Sequence, residues 1–501
     1  MSKKKQKSIE ELLKEALVPE EEQPYKVPEN WVWVNLKYLL SSLETGKRPK
    51  GGVSDIREGI PSLGGEHLNY NGGFNLENIK FVPVDFVESM TKGIIKENDI
   101  LIVKDGATTG KTAFVSSDFP FEKAVVNEHV FICRSSEKIY SKFLFYYILS
   151  LHGQKSIKDN LKGSAQGGIN TSFVNKFPIP LATLNEQKRI AEKVERLFAK
   201  IDEAKRLIEE VKESFELRRA AILDKAFRGE LTKKWREQNK VQQSVEEWLE
   251  EIVSLKNRKK NKFNDQLDPS ILENLFELPE GWKWVRLNDL IESSVYGTSA
   301  KANDDSTGTP VLRMGNIVDG FIQFTDLKYL PNDHIDVQKL DLEVGDLLFN
   351  RTNSYELVGK TALVDENIAG KATFASYLIR VRLFYKNILG SYVCHYINSH
   401  IGRNILLSMV TQQVGQANIN SQKLASLPIP LPPREEVIEI SKYLDHYRDL
   451  EEQITNVLKI ETKIDLIKQS ILSKAFRGEL GTNDPTDEHA IELLKEVLKS
   501  K

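Results

Sequence analysis

Two cysteines in 501 residues, Cys133 and Cys394, follow neither disulfide nor metal-ligand spacing. That scarcity fits a reducing setting, and the expected location is the cytoplasm. No apolar run reaches the 18 or so residues of a membrane-spanning helix, so no membrane is expected among the partners. The basic start (residues 1–18) runs into an amphipathic pattern broken by Glu and Lys, unlike the apolar core of a secretory leader. Neither sign of charge dominates: 70 Lys+Arg stand against 72 Asp+Glu, for a net charge of −2. Composition therefore carries no nucleic-acid signature, and any attraction to phosphate has to be local.

Catalytic signatures are equally scarce. The eight histidines show no His-Glu-x-x-His or other zinc spacing. No Gly-x-Ser-x-Gly elbow is present. No Asp/Asn-Pro-Pro-Tyr/Phe run is present either, because Pro432-Pro433 is flanked by Leu431 and Arg434. Glu210 and Lys212 make a Glu-x-Lys, but on a helical stretch rather than at a strand end. The nearest approach to a nucleotide site is Gly106-Ala107-Thr108-Thr109-Gly110-Lys111-Thr112. A phosphate-cradling loop needs four residues between its first Gly and the Gly-Lys pair, and this one has three. The expected structure is a tight turn between strands, with a basic turn that touches a DNA phosphate as the alternative. Neither a metal nor a cofactor is expected in this chain.

What the chain does have is itself, twice. Pro28-Glu29-Asn30-Trp31-Val32-Trp33-Val34-Asn35-Leu36 matches Pro279-Glu280-Gly281-Trp282-Lys283-Trp284-Val285-Arg286-Leu287, an offset of 251. Gly110-Lys111-Thr112-Ala113 matches Gly359-Lys360-Thr361-Ala362 at 249, and Pro178-Ile179-Pro180-Leu181 matches Pro428-Ile429-Pro430-Leu431 at 250. Lys225-Ala226-Phe227-Arg228-Gly229-Glu230-Leu231 matches Lys474-Ala475-Phe476-Arg477-Gly478-Glu479-Leu480 at 249. So constant an offset marks one duplicated module. A shorter element occurs three times, around Ser8–Glu15, Ser244–Glu251 and Ile491–Glu496. The chain thus reads as a two-repeat ring cut open, with its termini expected side by side.

Each copy carries a long helix. In residues 184–227, Ile190, Val194, Leu197, Ile201, Ala204, Ile208, Val211 and Phe215 alternate steps of four and three, an a/d heptad seam. At roughly 1.5 Å per residue the rod is on the order of 65 Å long. The second copy, from Arg434, offers Ile440, Leu444, Tyr447, Leu450, Ile454, Val457, Ile460, Ile464, Ile467 and Ile471, with two places where three follows three. Such irregularities overwind a coil locally. The two seams are expected to pair with each other inside one chain.

The expected order is an N-terminal amphipathic helix and linker (1–27), a first mixed α/β domain (28–182), the central long helix (183–235) and a charged helix and linker (236–278). A second domain (279–433), a second long helix (434–480) and a tail helix (481–501) follow. Strands are expected at Trp31–Leu36, Ile100–Lys104 and Val130–Arg134, with an apolar helix at Tyr140–Leu151. One Trp of each Trp-x-Trp pair should be core. The fold class is α+β: two pseudo-symmetric mixed α/β domains separated by two long antiparallel coiled-coil helices.

Contact residues are sought among cations and amides in the loops. The first domain offers Lys47, Arg48, Lys50, Lys104, Lys111, Gln166 and Asn170; the second offers Lys301, Arg313, Arg351, Asn353, Lys360, Gln412, Gln413 and Gln416. Arg suits guanine edges and Asn or Gln adenine edges, while a solvated loop is the plainer reading of any one of them. Lys+Arg against Asp+Glu is 18 to 16 in residues 28–182 and 14 to 15 in 279–433, so neither domain is basic as a whole.

The doubled order of Pro-x-x-Trp-x-Trp, variable domain, Pro-Ile-Pro-Leu, heptad helix and Ala-Phe-Arg-Gly-Glu-Leu resembles the specificity subunit of type I restriction–modification enzymes. Asn185-Glu186-Gln187-Lys188-Arg189-Ile190 is one of its most specific parts. One departure is Arg434-Glu435-Glu436-Val437, where the family keeps a Glu-Gln pair; another is the charged run at 256–262. The resemblance implies a non-catalytic chain whose two domains each read half of a split double-stranded DNA target. It implies helices that fix the spacer and dock two modification subunits, with restriction/translocase subunits in the full complex. S-adenosylmethionine, ATP and Mg2+ would then belong to the partners. A protein-binding scaffold or adaptor without DNA contact is the alternative, and a free-standing methyltransferase or nuclease a third class.

Overall fold

The computed structural model describes residues 7–53, 56–162, 167–256, 263–318, 320–413, 416–458 and 463–500. Gln166 and most of the charged run, residues 257–262, lie outside them, as do the side chains of Gln412, Gln413 and Ile454. The chain divides into two compact units, residues 1–207 with 459–501, and residues 208–458.

In the first unit the two repeat motifs that frame the domain turn out to be partners. Val32–Asn35 and Pro178–Leu181 form an antiparallel two-stranded ribbon in which Trp33 faces Pro180. Prolines cannot donate to a ladder, so a Pro-Ile-Pro-Leu strand suits a ribbon rather than a sheet interior. Inside this clamp lies a four-stranded antiparallel sheet in the order 40–45, 130–135, 100–103, 112–114. A three-stranded sheet runs 80–82, 60–63, 125–126, with the last pair parallel. The apolar stretch expected at Tyr140–Leu151 is two helices, Ser141–Leu149 and Leu151–Asp159, divided at Ser150, whose hydroxyl caps the second.

The second unit repeats this plan. Lys283–Arg286 pairs with Pro428–Leu431, Trp284 facing Pro430. The four-stranded sheet runs 291–296, 378–383, 347–350, 361–363. Each four-stranded sheet carries a forked ion pair on a buried aspartate. Arg134 donates to both carboxylate oxygens of Asp99 at 2.7 and 2.8 Å, and Arg382 to both of Asp346 at 2.7 Å. Nothing in the sequence motifs pointed to these pairs.

The long helix spans Leu184–Phe227, as the heptads require. Its first turn holds a buried glutamate gripped by the entry strand: Trp31 Nε1 donates to Glu186 Oε2 at 2.7 Å. The second copy matches, with Trp282 Nε1 on Glu436 Oε2 at 2.9 Å. Trp33 and Trp284 each donate to a backbone carbonyl, of Tyr25 and Phe276, at 3.2 Å. Trp31 and Trp33 are both buried, which corrects the expectation of one core Trp for that pair, while in the second pair Trp282 is buried and Trp284 half-buried, as expected. The departure at Val437 is now placed as well. Gln187 accepts from Tyr140 N at 3.0 Å and donates to Ala182 O at 2.9 Å, while buried Val437 stands at that place in the second copy with apolar packing alone.

The helices pair antiparallel in each unit. In the first, Lys193 Nζ reaches Leu480 O at 2.6 Å, and Asp202 meets Lys468 at 2.5 Å. In the second, Arg219 meets Glu451 at 3.6 Å and Thr232 donates to Glu436 at 2.5 Å. Ile190, Val194, Ile440, Leu444 and Ile464 are buried; Leu197, Ile201, Ile208, Phe215 and Ile471 are half-buried. Val211, Leu450 and Ile467 correct the seam, since they are 40 %, 41 % and 42 % exposed, and so does exposed Ala204. Two helices alone cover only a narrow stripe of each other, and only near the domains does a third wall close over them. The second helix is described as two, Arg434–Leu458 and Ile464–Phe476, and the latter starts from its own cap at Lys463. Its buried residues are Ile464 of the seam together with Leu472, Ala475 and Phe476.

The three-fold element forms three helices, Ile9–Ala16, Val245–Leu255 and Ala490–Lys499. The first two open on Ser/Glu capping boxes (Ser8 with Glu11, Ser244 with Glu247). Within the first unit the helices nearest the two termini pack together in one core, joining Ala16 with Leu494 and Val497.

Gly229 and Gly478 end the long helices at φ +72° and +74°, and a Cβ there would lie 2.4 Å from Pro279 Cγ and 2.3 Å from Pro28 Cγ. Gly229→Ala and Gly478→Ala should each cost more than about 2 kcal/mol, from strain plus overlap. Gly281→Ala, at φ +84° with open space around it, should cost about 1 kcal/mol from strain alone. Urea unfolding of the three variants checks the order. Burial pushes the Glu186 carboxyl up, against the hydrogen bonds from Trp31 and Asn483. The folded state therefore holds this proton more tightly, and the group's stability contribution falls as pH rises through its folded value. Glu186→Gln removes that term. The melting temperature of the variant relative to the original chain should rise between about pH 4 and pH 7; a constant difference would refute the assignment.

Candidate nucleic-acid interface

The Gly-Lys-Thr turn joins strand to strand in both units, 100–103 to 112–114 and 347–350 to 361–363. Gly110 and Gly359 turn the chain at φ +95° and +84°. Gly110 N donates to Val103 O at 2.9 Å and Gly359 N to Asn350 O at 2.7 Å. A phosphate-cradling loop opens a helix instead, so this is the tight turn that the residue count implied.

Beside this turn each unit brings in the segment that precedes the exit strand. Ile169 N donates to Lys104 O at 2.7 Å, and Ile419 N to Arg351 O at 2.9 Å. Lys104, Lys111 and Asn170 thereby come together in one unit. In the other, Thr352–Asn353, Gln416–Asn418 and Thr411–Gln413 form a small antiparallel sheet that gathers Arg351, Asn353, Lys360 and Gln416 with the strand bearing Gln412 and Gln413.

In the first unit a chain of charges extends the junction. Arg48 Nε lies 3.2 Å from Glu128, Glu128 lies 3.4 Å from His129, and His129 lies 2.5 Å from Asp105. Lys104 is 3.6 Å from Asp105. Lys47 and Lys50 are exposed on the same loop as Arg48. Lys104 also sits over the Phe131 ring at 5.7 Å, and Lys111 over that of exposed Tyr70 at 5.5 Å. In the second unit the Arg351 guanidinium lies 4.7 Å from the ring centre of Tyr296, a side chain 41 % exposed. The Tyr296 hydroxyl is fixed by Ser421, donating to Oγ at 3.0 Å and accepting from N at 3.1 Å. Cation and ring together present a flat apolar face beside a charge, which suits a base next to its phosphate. Neither tyrosine stood out in the sequence, because nothing in its local spacing marks its partner.

Other candidates are placed elsewhere or occupied. Asn170 Oδ1 accepts from Ser172 N at 3.0 Å, capping the turn 171–176, so the acceptor half of its amide is engaged locally. Asn353 Oδ1 likewise accepts from Ser354 N at 2.8 Å. Arg313 is half-buried and donates to Asp326 O, so its guanidinium faces the protein. Lys301 is exposed on a separate loop. Among the described residues no three His, Cys, Asp or Glu side chains gather as a metal site. Burial pushes both cysteine thiols up, Cys394 to about 12.

The protein-family profile described as "Type I restriction modification DNA specificity domain" matches residues 28–213 and 279–460, the two frames found by the repeat. The chain is 28 % identical to the type I restriction enzyme EcoKI specificity subunit of Escherichia coli K12, over 91 % of this chain and 90 % of that one. A putative type I restriction enzyme MjaX specificity subunit of Methanocaldococcus jannaschii is 33 % identical over 40 % of this chain and 46 % of its own. The solved HsdS subunit of Thermoanaerobacter tengcongensis shares the fold, with a TM-score of 0.52 at 21 % identity over 92 % of this chain and all of that one. A solved chain from a study of complex assembly and conformational transition in a type I R-M system gives a TM-score of 0.59 at 20 % identity, over 91 % of this chain and all of that one.

Proposed function

The chain belongs to the type I restriction–modification DNA specificity family, and on that premise we propose how its residues divide the work. Residues 28–182 and 279–433 each read one half of a bipartite double-stranded DNA target. The antiparallel helices set the spacer between the halves and dock two modification subunits. Restriction/translocase subunits complete the complex. The chain itself is non-catalytic and acts in the cytoplasm; S-adenosylmethionine, ATP and Mg2+ serve the partners. Among the described residues no helix is long and apolar enough to cross a membrane.

One observation carries the assignment of the reading surface. Both units build the same junction from the Gly-Lys-Thr turn and the segment before the exit strand, yet furnish it differently, with Lys104, Lys111 and Tyr70 in one and Arg351, Tyr296 and a Gln-bearing hairpin in the other. A constant frame with changed contact groups is what reading two different half-sites requires. A scaffold that binds only protein has no such need.

Footprinting of the chain with its modification subunits should protect two short blocks separated by an unprotected spacer. A continuous footprint, or none, would sink the proposal. Inserting four residues near Glu209 adds about 6 Å to the helix. The expected outcome, read by methylome sequencing, is a longer spacer with both half-sites unchanged. Altered half-sites would overturn the ruler role.

A further inference from the structure

In the second unit the recognition domain meets the long helices through a small polar cluster. Ser391 and His395 stand one turn apart on the domain helix Lys386–Asn398, and both reach Asp445 on Arg434–Leu458. Ser391 Oγ donates to Asp445 Oδ1 at 2.6 Å, and His395 Nε2 lies 3.1 Å from the same oxygen. Arg448 Nη2 is 3.4 Å from it as well, and the Arg448 guanidinium lies 5.4 Å from the ring centre of Phe321 in the domain. Against its burial, the hydrogen bonds from His395 and Ser391 and the charge of Arg448 hold the Asp445 carboxyl down. An ionised Asp445 can only accept, so Nε2 carries the imidazole hydrogen.

The His395 side chain is 12 % exposed. Beside it is a void of about 10 Å³, at the lower limit for a single water, which Arg219, Tyr447, Arg448 and Glu451 also line. A second proton on the ring would place a charge among two arginines with little water to solvate it. Burial, with Arg448 and Arg219 against the pull of Asp445, holds the imidazole below its ordinary value. An unseated ring in water has the ordinary value of about 6.5. The seat is therefore at full strength above that pH and weakens as pH falls from it toward the lowered value, because the open form binds the proton more tightly.

The first unit builds the matching joint without a histidine. The offsets of 249 and 250 that align the repeats set Lys142 and Tyr146 against Ser391 and His395, and Glu195 and Phe198 against Asp445 and Arg448. Lys142 meets Glu195 at 2.8 Å, and the rings of Tyr146 and Phe198 meet edge to face with centres 5.8 Å apart. Lys468, which matches Arg219, lies 5.2 Å from the Phe198 ring. Burial pushes the Tyr146 hydroxyl up, so that ring stays uncharged through neutral pH.

We propose that His395 is a positioning residue for the second reading domain: neutral, it helps to hang the domain helix on Asp445 and so fixes where the domain presents its contact groups; protonated, it releases that seat. The proposal rests on the DNA-reading role above. It makes the grip on one half-site proton-dependent and leaves the other to a joint of aromatic rings and a Lys–Glu pair.

The test uses the chain assembled with its modification subunits on DNA carrying its target. Footprints are compared at about pH 7.5 and about pH 5.5, on either side of the ordinary histidine value. One protected block should fade at the lower pH while the other persists. His395→Gln keeps an N–H donor for Asp445 but takes up no proton, so both blocks should persist at both pH values. His395→Phe, without a donor, should weaken the same block at both. Hydrogen exchange of the original complex decides the matter if a variant fails to fold. Corrected for intrinsic rate, amides of Lys386–Asn398 should lose protection at the lower pH relative to those of Ser141–Leu149. An equal response of the two blocks or of the two helices, the same selective fading in His395→Gln, or a His395→Phe footprint like the original would each overturn the positioning role and leave the bipartite reading intact. Absence of two protected blocks in the original complex at the higher pH would overturn both.

Discussion

The structure depends on a buried carboxylate at the start of each long helix. Glu186 and Glu436 are fully buried in the first turn, and each accepts the indole N–H of the tryptophan that begins its domain. A carboxylate taken out of water needs donors, and in each unit the indole N–H supplies one. The indole in turn precedes the strand that pairs with Pro-Ile-Pro-Leu, which runs directly into the helix. Entry, exit and rod are thereby locked at one point in each unit. Whatever happens between the two strands of the ribbon, the domain leaves the helix at the same place.

The two units complete this junction with different side chains. In the second, Arg236 and Thr232 both donate to Glu436 Oε1, and the Arg236 guanidinium also reaches Gly229 O at 2.6 Å. In the first, Asn483 donates to Glu186 Oε2 at 3.0 Å, and the arginine of the neighbourhood, Arg189, turns to Asp487. One carboxylate is therefore held by a full ion pair and the other by neutral donors, which is why burial raises Glu186 toward its protonated form. At the helix ends the solutions converge again. Arg228 and Arg477 lie 4.5 and 4.6 Å from the rings of Phe276 and Tyr25, and each following glycine admits the proline of the repeat. The repeated motif is thus a joint, with Arg gripping the linker aromatic and Gly leaving room for Pro.

How much of this was legible in the sequence follows from range. Heptad spacing is local, so the extent of the first helix could be read from Ile190 to Phe215. The duplicated motifs exposed the frame because repetition is itself a long-range signal. The partnership of Trp-x-Trp with Pro-Ile-Pro-Leu, and the forks of Arg134 on Asp99 and Arg382 on Asp346, join residues far apart in sequence that carry no shared spacing. The seam failed at Ala204, Val211, Leu450 and Ile467 because a heptad pattern states which face is apolar, not whether a third element covers it. Among the site candidates, Lys104, Lys111, Arg351 and Lys360 gather at one junction in each unit because they flank a motif. The local roles of Asn170 and Arg313 were not legible, because an Asn before a helical turn is also a cap and an Arg on a loop can fold back on a carbonyl.

Electrostatics decides how such a molecule can hold DNA at all. A chain of net charge −2 gains nothing from its overall field, and a duplex approaching either domain meets as many carboxylates as cations. The attraction has to be assembled from short-range pieces. In the second unit Arg351 lies on a tyrosine face, while Arg380 and Arg382 are spent on Asp341 and Asp346. Local cations of this kind act within a Debye length of about 8 Å at physiological salt. They reward a duplex only once it is seated in register. The same arrangement that denies the chain strong non-specific attraction therefore favours discrimination over affinity, and leaves the remainder of the grip to whatever subunits assemble around it.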